Sequence, residues 1–415
     1  MYREDQLKAL LEGHRILIAG YGREGRSAER LVRQLGLDCT VADGNGNIAD
    51  EACSGRYDII IKSPGIPMRV LHGTAAQVSS LTDLFLLVYG DLTIGVTGTK
   101  GKSTTASLIH HLLPASVLAG NIGVPLFDIL DELTEDSVVV AELSCHQLEN
   151  IRRGPHIAVL LNLYQEHLDH YDSYMGYKMA KMQIALKQRT GDHFFFCTDN
   201  EELNSLVESG IMKVESEVHP YSLASATADE RQLLEACPLA GGHNRSNALV
   251  ACRVAQLVTR RPLSSFKFQV SSFKGLRHRM EKVCVCRGIT WYDDSISTIP
   301  EATIAAVEAL GRVDTLILGG FDRGIDYTPL EDFLKAHPIQ NLVFVGAVGR
   351  RVHSDLGPMA SNLLIEDDYT RIVPWCAMHT PQGGTVLLSP AASSYDAFKN
   401  FEHRGDFFAE QIAKL

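Results

Sequence analysis

Short runs of apolar, often β-branched residues recur along the chain. Each is followed by a longer stretch whose apolar positions return every three or four residues. Residues 15–19 (RILIA) lead into GYGREGRSA and a helix-like SAERLVRQLG, with further strand-like runs at 39–42 and 57–62 (YDIIIK). Residues 92–96 run into TGTKGKSTT and then SLIHHLL, which reads as strand, loop and helix. The runs 137–142 (SVVVAE) and 157–161 (IAVLL) are largely apolar, as expected of strands covered on both faces. Residues 315–318, 342–345 and 385–388 repeat the pattern toward the C-terminus. This alternation predicts an α/β fold of stacked layers with mostly parallel sheets. The segment 201–237 is polar and weakly patterned, and reads as loop-rich surface. No solenoid-length repeat or low-complexity linker is present, so boundaries are placed where nucleotide-type strand-to-helix turns restart. Those turns lie at Gly20, at Thr97 and near Gly275. They give three domains, 1–91, 92–274 and 275–415.

Length agrees: 415 residues at about 150 per domain allow two or three. Thirty-nine Lys and Arg against 50 Asp and Glu leave a net charge of −11. That argues against a nucleic-acid binder or a coat for anionic membranes, while leaving room for a local basic pocket. The first residues, MYREDQLKALLEGHR, are charged throughout and read as neither a signal peptide nor an anchor. No apolar run approaches the ~18 residues of a membrane helix. Nine cysteines are dispersed without a CxxC pair, which fits reduced thiols in a cytoplasmic protein.

Two glycine-rich turns carry candidate chemistry. Gly20, Gly22 and Gly25 form GxGxxG between a strand and a helix, with Asp43 at the end of the next strand. Such glycines let the backbone approach a diphosphate at the helix N-terminus. Alone, the motif fits NAD as well as any other diphosphate nucleotide, so an NAD-dependent oxidoreductase is a rival reading. Gly98-Thr99-Lys100-Gly101-Lys102-Ser103-Thr104 is sharper, although Val96 stands where a strict Walker motif has glycine. Its amides form an anion cradle, Lys102 can reach the β- and γ-phosphates of ATP, and Ser103 can ligate Mg²⁺. Glu142 ends an apolar strand, where a lone carboxylate serves equally as a helix-capping charge. His167 follows another strand, where a single histidine is more often structural than a ligand.

In order, the chain contains TGTKGKSTT, GNIG, AELSxxQLE, LNxxxxHLDxY, YKMAK, GGHNRSN, GLRHRME, DDS, LGGFDRG and SPAASSYDAFKNFEHRG. This series, from Gly20 to Gly405, resembles the Mur ligase family. GNIG, the SPGI at 63–66 and the C-terminal motif are most similar to its glutamate-adding branch. The resemblance implies an acid–amino-acid ligase with ATP and Mg²⁺ as cofactors, built from a Rossmann-like, uridine-nucleotide-binding domain (1–91), a central P-loop-type ATPase domain (92–274) and a Rossmann-like domain that contacts amino acid and nucleotide (275–415). Its substrates would be small molecules: UDP-N-acetylmuramoyl-L-alanine, activated as an acyl phosphate, and glutamate. D-glutamate is the family default and L-glutamate the alternative. A monomer that binds neither nucleic acid nor membrane is expected.

The resemblance also implies residue roles. Lys102 would grip phosphates, Ser103 and Glu142 would hold Mg²⁺, and His167 would ligate a second ion. Lys181 aligns with the lysine that family members carbamylate; a solvated helix lysine is its bland alternative. Asn244 and Asn247 would meet adenine, Arg279 a phosphate, and Asp294 the nucleotide. Gly20, Gly22, Gly25, Asp43, Ser63, Gly65 and Asn121 would bind the uridine substrate. Arg323, Ser394 and Phe401 would bind glutamate, while His243 and His278 are expected to be packed structural histidines. Three departures stand out: Gly44-Asn45 replaces the usual Thr-Arg, Arg323 replaces a lysine, and apolar Ile296 stands where D-glutamate ligases carry lysine after Asp-Ser. A non-catalytic descendant is disfavoured because Lys102, Glu142, His167 and Lys181 are all present.

Overall fold

Every residue of Ile16–Ala19, Ile59–Lys62, Val139–Glu142 and Ile157–Leu160 is buried, which is possible only for strands covered on both faces. The computed structural model describes residues 2–122, 124–166, 170–210, 213–239, 241–357 and 362–415. It resolves the chain into two compact units, Met1–Phe273 and Lys274–Leu415.

The first unit holds two sheets. One is built from β1 (Ile16–Ala19), β2 (Cys39–Ala42), β3 (Ile59–Lys62) and β4 (Gln77–Ser79) in the order β2-β1-β3-β4, all parallel. The other is built from β5 (Thr93–Thr97), β6 (Val117–Gly120), β7 (Val139–Glu142), β8 (Ile157–Leu160), β9 (His193–Cys197) and β10 (Glu217–Tyr221). Its order is β10-β9-β8-β5-β7-β6, again all parallel. Ile16, Ile18, Ile59 and Ile61 from the first sheet belong to the same apolar cluster as Val139, Ala141, Ala158 and Leu160 from the second. This continuous core spans the region of residue 91 and makes 1–273 one unit. The opposite faces are separate: Leu17, Ala19 and Ile60 on one sheet, Ile94, Val96 and Val159 on the other.

The second unit has one sheet: β11 (Glu281–Cys286), β12 (Ile289–Asp293), β13 (Thr315–Gly319), β14 (Asn341–Val345), β15 (Asn362–Ile365) and β16 (Thr385–Leu388). The order is β11-β12-β16-β13-β14-β15, parallel apart from the β11–β12 hairpin. The α/β class with mostly parallel sheets is therefore observed. The reading of 201–237 as loop-rich is corrected: it contains a helix (Glu201–Glu208), strand β10 and a second helix (Ala228–Glu235). Alternation fails there because β10 is an edge strand with four of its five residues at least partly exposed, so little apolar sequence is required of it. All nine cysteines are free, and no described helix is long and apolar enough to cross a membrane.

Candidate active site

In open α/β sheets, sites form outside the carboxyl ends of strands where the order reverses. In the six-stranded sheet of the first unit that place is β5, flanked by β8 and β7. Three adjacent strand ends thus bring together sequence segments far apart: Gly98–Lys102 after β5, Glu142 at the end of β7, and Asn162 after β8.

The loop after β5 is held open by glycine. Gly98 has φ +153°, and a Cβ there would come within 2.9 Å of Leu161. Gly101 has φ +85° and precedes the helix Lys102–Leu112; a Cβ on it would press on the Asn247 amide at 2.9 Å. Asn162 braces the loop, accepting from the Lys100 amide (2.8 Å) and donating to the Lys100 carbonyl (3.0 Å). Thr99 Oγ1 lies 2.7 Å from the buried Tyr177 hydroxyl. Lys100 is exposed and pairs with Glu166.

Two lysines converge on this loop. Lys102 Nζ donates to the carbonyls of Gly98 (2.9 Å) and Thr99 (3.0 Å). Lys181, on the helix Tyr174–Leu186, donates to the same Gly98 carbonyl at 2.8 Å and is only 1% exposed. Burial lowers both ammonium groups. For Lys102 nearby Glu142 opposes this, whereas for Lys181 the charge of Lys102 reinforces it and brings the group to about 7. Lys181 is therefore not a solvated helix lysine.

Glu142 is 2% exposed. Its Oε1 accepts from Asn121 Nδ2 at 2.7 Å, while Oε2 is buried without a hydrogen-bond partner among the described residues. A carboxylate oxygen enclosed without a donor suits a hard cation, which takes oxygen ligands. Ser103, in the first turn of the loop helix, adds a hydroxyl. The donor set therefore fits Mg²⁺. Asn121 also donates its backbone amide to the Glu142 carbonyl (2.9 Å), a second bond that holds Glu142 in place. Asn244 and Asn247 lie on the helix Gly242–Thr259; Asn247 is buried against Gly101, and Asn244 is half-buried. His243, expected to be packed, is exposed, as its place in the first turn of that helix allows. His167 lies outside the described residues.

The other glycine turn uses its residues differently. Gly20 has φ +89° and faces Ser63, whose hydroxyl donates to the Gly20 carbonyl at 2.8 Å. A Cβ on Gly25 would stand 2.0 Å from that carbonyl, so only glycine lets the helix Arg23–Gln34 start so close to β1. Gly22 and Gly65 have open space around them. Asp43 accepts from the Tyr21 amide at 3.3 Å, bracing the turn. Arg23, Arg26 and Arg30, with Val124, Pro125 and Asp128, line a cavity of about 320 Å³. None of these six was singled out from the sequence. Arginines at i, i+3 and i+7, beginning inside GxGxxG, were the available signal, since that spacing puts them on one helix face. Also missed was buried Lys62, which donates to the Ile66 carbonyl (2.9 Å) and pairs with Glu149 at 3.2 Å.

In the second unit, buried Asp294 accepts from Ser389 Oγ (2.8 Å) and the Met280 amide (3.1 Å); burial raises its carboxyl to about 6. Arg279 is exposed. Arg323 donates to the Thr298 carbonyl at 2.6 Å, which brings it to the loop carrying Ile296. Ser394 is buried, and the Phe401 carbonyl accepts from Ser295 Oγ at 2.8 Å. His278 is a packed structural histidine, 3% exposed and 2.7 Å from Asp293. A cavity of about 270 Å³ lies at the ends of β13 and β14, lined among others by Gly320, Gly346, Arg350, Asp367 and Arg404. Arg323, Ser394 and Phe401 are not among its lining residues.

Comparison with known proteins places these features. Residues 96–255 match the family model of the Mur ligase middle domain. The chain is 30% identical to a UDP-N-acetylmuramoylalanine–D-glutamate ligase of Ligilactobacillus salivarius, with 97% of each covered. It is 31% identical to a UDP-N-acetylmuramoyl-L-alanine–L-glutamate ligase of Salinispora tropica, covering 97% of this chain and 98% of that one. Among solved structures, the MurF ligase of Thermotoga maritima in complex with ADP superimposes with a TM-score of 0.57 at 16% identity, over 96% of this chain and 95% of that one. The strand-end arrangement around β5 and the full-length similarity lead to one conclusion: the chain belongs to the Mur ligase family.

Proposed function

We propose that this protein is an ATP-dependent ligase that joins glutamate to UDP-N-acetylmuramoyl-L-alanine through an acyl phosphate, in peptidoglycan precursor synthesis. The observation that carries the reading is the grouping of Lys102, Lys181 and the unpartnered oxygen of Glu142 around the glycine loop after β5. The names of relatives aligned over nearly the whole chain support it. An oxidoreductase finds no support among them.

Oxide is too poor a leaving group for an amine to displace from a carboxylate, so the acid must first be phosphorylated. Lys102 holds the phosphates and offsets the charge that builds between donor and acceptor. Ser103 and Glu142 hold Mg²⁺, with His167 at a second ion; bound there, Mg²⁺ neutralises phosphate charge. Lys181, kept in a partly neutral amine form by burial, adds to CO₂ with loss of one proton. The resulting carbamate is an anionic oxygen ligand. The loop Gly98–Thr104, Asn244 and Asn247 seat ATP, and Arg279 and Asp294 are nucleotide-contacting residues. Gly20, Gly22, Gly25, Asp43, Ser63 and Gly65 take the uridine substrate within a lobe of residues 1–91, joined by Asn121 from the ATP lobe, residues 92–274. Arg23, Arg26 and Arg30 give that substrate's diphosphate a basic wall. Arg323, Ser394 and Phe401 receive glutamate. The protein works as a monomer in the cytoplasm.

D-glutamate is the default acceptor. The L-enantiomer is a second reading favoured by Ile296: it gives no cation to a substrate carboxylate, and Arg323 is turned toward the same loop. Phosphate release with UDP-N-acetylmuramoyl-L-alanine, ATP and Mg²⁺ tests both, run with D-glutamate, L-glutamate and no amino acid. Release that depends on one enantiomer is expected. Release indifferent to glutamate and to the uridine substrate would overturn the proposal.

A further inference from the structure

Strands β9 and β10 form the outermost parallel pair of the six-stranded sheet, in the register Glu217 opposite His193 and His219 opposite Phe195. Side chains two apart on a strand share a face. Glu217, His219 and His193 thus stand on one face of the sheet edge. His193 Nδ1 and His219 Nε2 are 3.0 Å apart. Glu217 reaches His193 Nδ1 with Oε2 at 3.5 Å and His219 Nε2 with Oε1 at 3.7 Å. For ligands about 2.0–2.1 Å from a tetrahedral ion, the separation between ligand atoms is about 3.3 Å. The ring nitrogens, 3.0 Å apart, and the two Glu217 oxygens, one 3.5 Å from His193 and the other 3.7 Å from His219, lie near that value.

The rings are held in place. His219 stacks on Phe195 with centroids 4.5 Å apart, and His193 meets His156, from the segment entering β8, edge-on at 5.5 Å. His156 is itself anchored on Asp192 at 3.0 Å. The imidazoles are largely covered, with side-chain exposures of 19% and 24%, whereas Glu217 is 66% exposed. An ion here has three protein ligands and an open side toward water.

We propose that His193, Glu217 and His219 form a site for a borderline divalent transition ion of the zinc class, distinct from the hard-cation site at Glu142. Two imidazole nitrogens and one carboxylate favour such an ion over Mg²⁺ or Ca²⁺, which take oxygen ligands. The bound ion ties the edge strand β10 to β9.

The test is a zinc titration of the full-length, chelator-stripped protein in excess Mg²⁺, read by competition with a chromophoric chelator and by thermal unfolding. One equivalent is expected to bind and to raise the melting temperature, because the ion binds only the folded arrangement. Glu217→Gln and His219→Ala should each weaken binding at least about tenfold, the lower end of what losing even an outer partner of a metal ligand costs. Both should leave ligase turnover unchanged. If His219→Ala folds poorly, the exposed, near-isosteric Glu217→Gln carries the test. Absence of a Mg²⁺-insensitive equivalent, or variants that bind zinc like the parent, would overturn the proposal.

Discussion

Lys102 and Lys181 donate to one and the same carbonyl, that of Gly98, at 2.9 and 2.8 Å. Two ammonium groups sharing one neutral acceptor in a buried setting repel each other, and the system relaxes by neutralising one of them. Lys181, the more buried, is the one brought to about 7. The relationship ties the glycine loop after β5 to the helix Tyr174–Leu186.

Lys181→Ala should reduce phosphate release by two orders of magnitude or more, on the order of what one lost electrostatic partner costs an active site. Added short-chain carboxylates or bicarbonate should restore part of it by occupying the vacated space as an oxygen ligand. Full activity in the variant, or none regained with any anion, would remove the carbamate role.

Gly25→Ala places a methyl group 2.0 Å from the Gly20 carbonyl, where backbone meets backbone and neither side can swing away. The turn and the start of the helix Arg23–Gln34 must separate. A stability loss of about 1–3 kcal/mol follows, as for overpacking elsewhere. Uridine-nucleotide affinity should fall with it, while ATP affinity is kept. Denaturant titration and two binding isotherms check this, and an unchanged uridine isotherm would contradict it.

Glu24 receives a hydrogen bond from Gln147 Nε2 at 2.6 Å, and its other oxygen is buried without a hydrogen-bond partner among the described residues. Burial raises this carboxyl from its ordinary 4.5 to about 7, with the Gln147 bond and Lys62 opposing. Because the folded-state value is the higher one, the contribution to stability is complete below pH 4.5 and declines as pH rises through 7. The loss is up to about 3 kcal/mol, at 1.4 kcal/mol per unit. Glu24→Gln should flatten this dependence and raise the melting temperature at pH 8. A parent-like pH profile in the variant would refute the assignment.

Ile296→Lys should shift the ratio of D- to L-glutamate turnover by about tenfold or more, the equivalent of one 1.4 kcal/mol contact. Arg323 holds the Thr298 carbonyl two residues on, so the new ammonium would enter the same neighbourhood. Competition between the two enantiomers reads the ratio directly. An unchanged ratio would place Ile296 outside the pocket.

Much of the fold was legible because buried parallel strands must be apolar on both faces. Residues 15–19, 57–62, 137–142 and 385–388 announced themselves for that reason. The glycine loops were legible because positive φ and close approach admit few other residues, as Gly98, Gly101 and Gly25 illustrate. Strands β4, β6 and β10 were not, since three to five residues at or near an edge need no apolar signature. The Arg23, Arg26 and Arg30 wall was missed because arginines on a helix face look like ordinary solvated surface. Lys62 looked like the polar end of a strand.

The sequence by itself determined the α/β class, the two glycine turns and the identity of the side chains around the phosphate loop, because each rests on local backbone requirements or on motifs that survive in linear order. Tertiary structure alone decided that 1–273 is one unit, that Lys181 and Lys102 share the Gly98 carbonyl, that Glu142 keeps an unpartnered oxygen, and that His193 meets His219. Those are outcomes of strand order, register and shared burial. They bring together residues tens of positions apart through contacts whose energies no local pattern records.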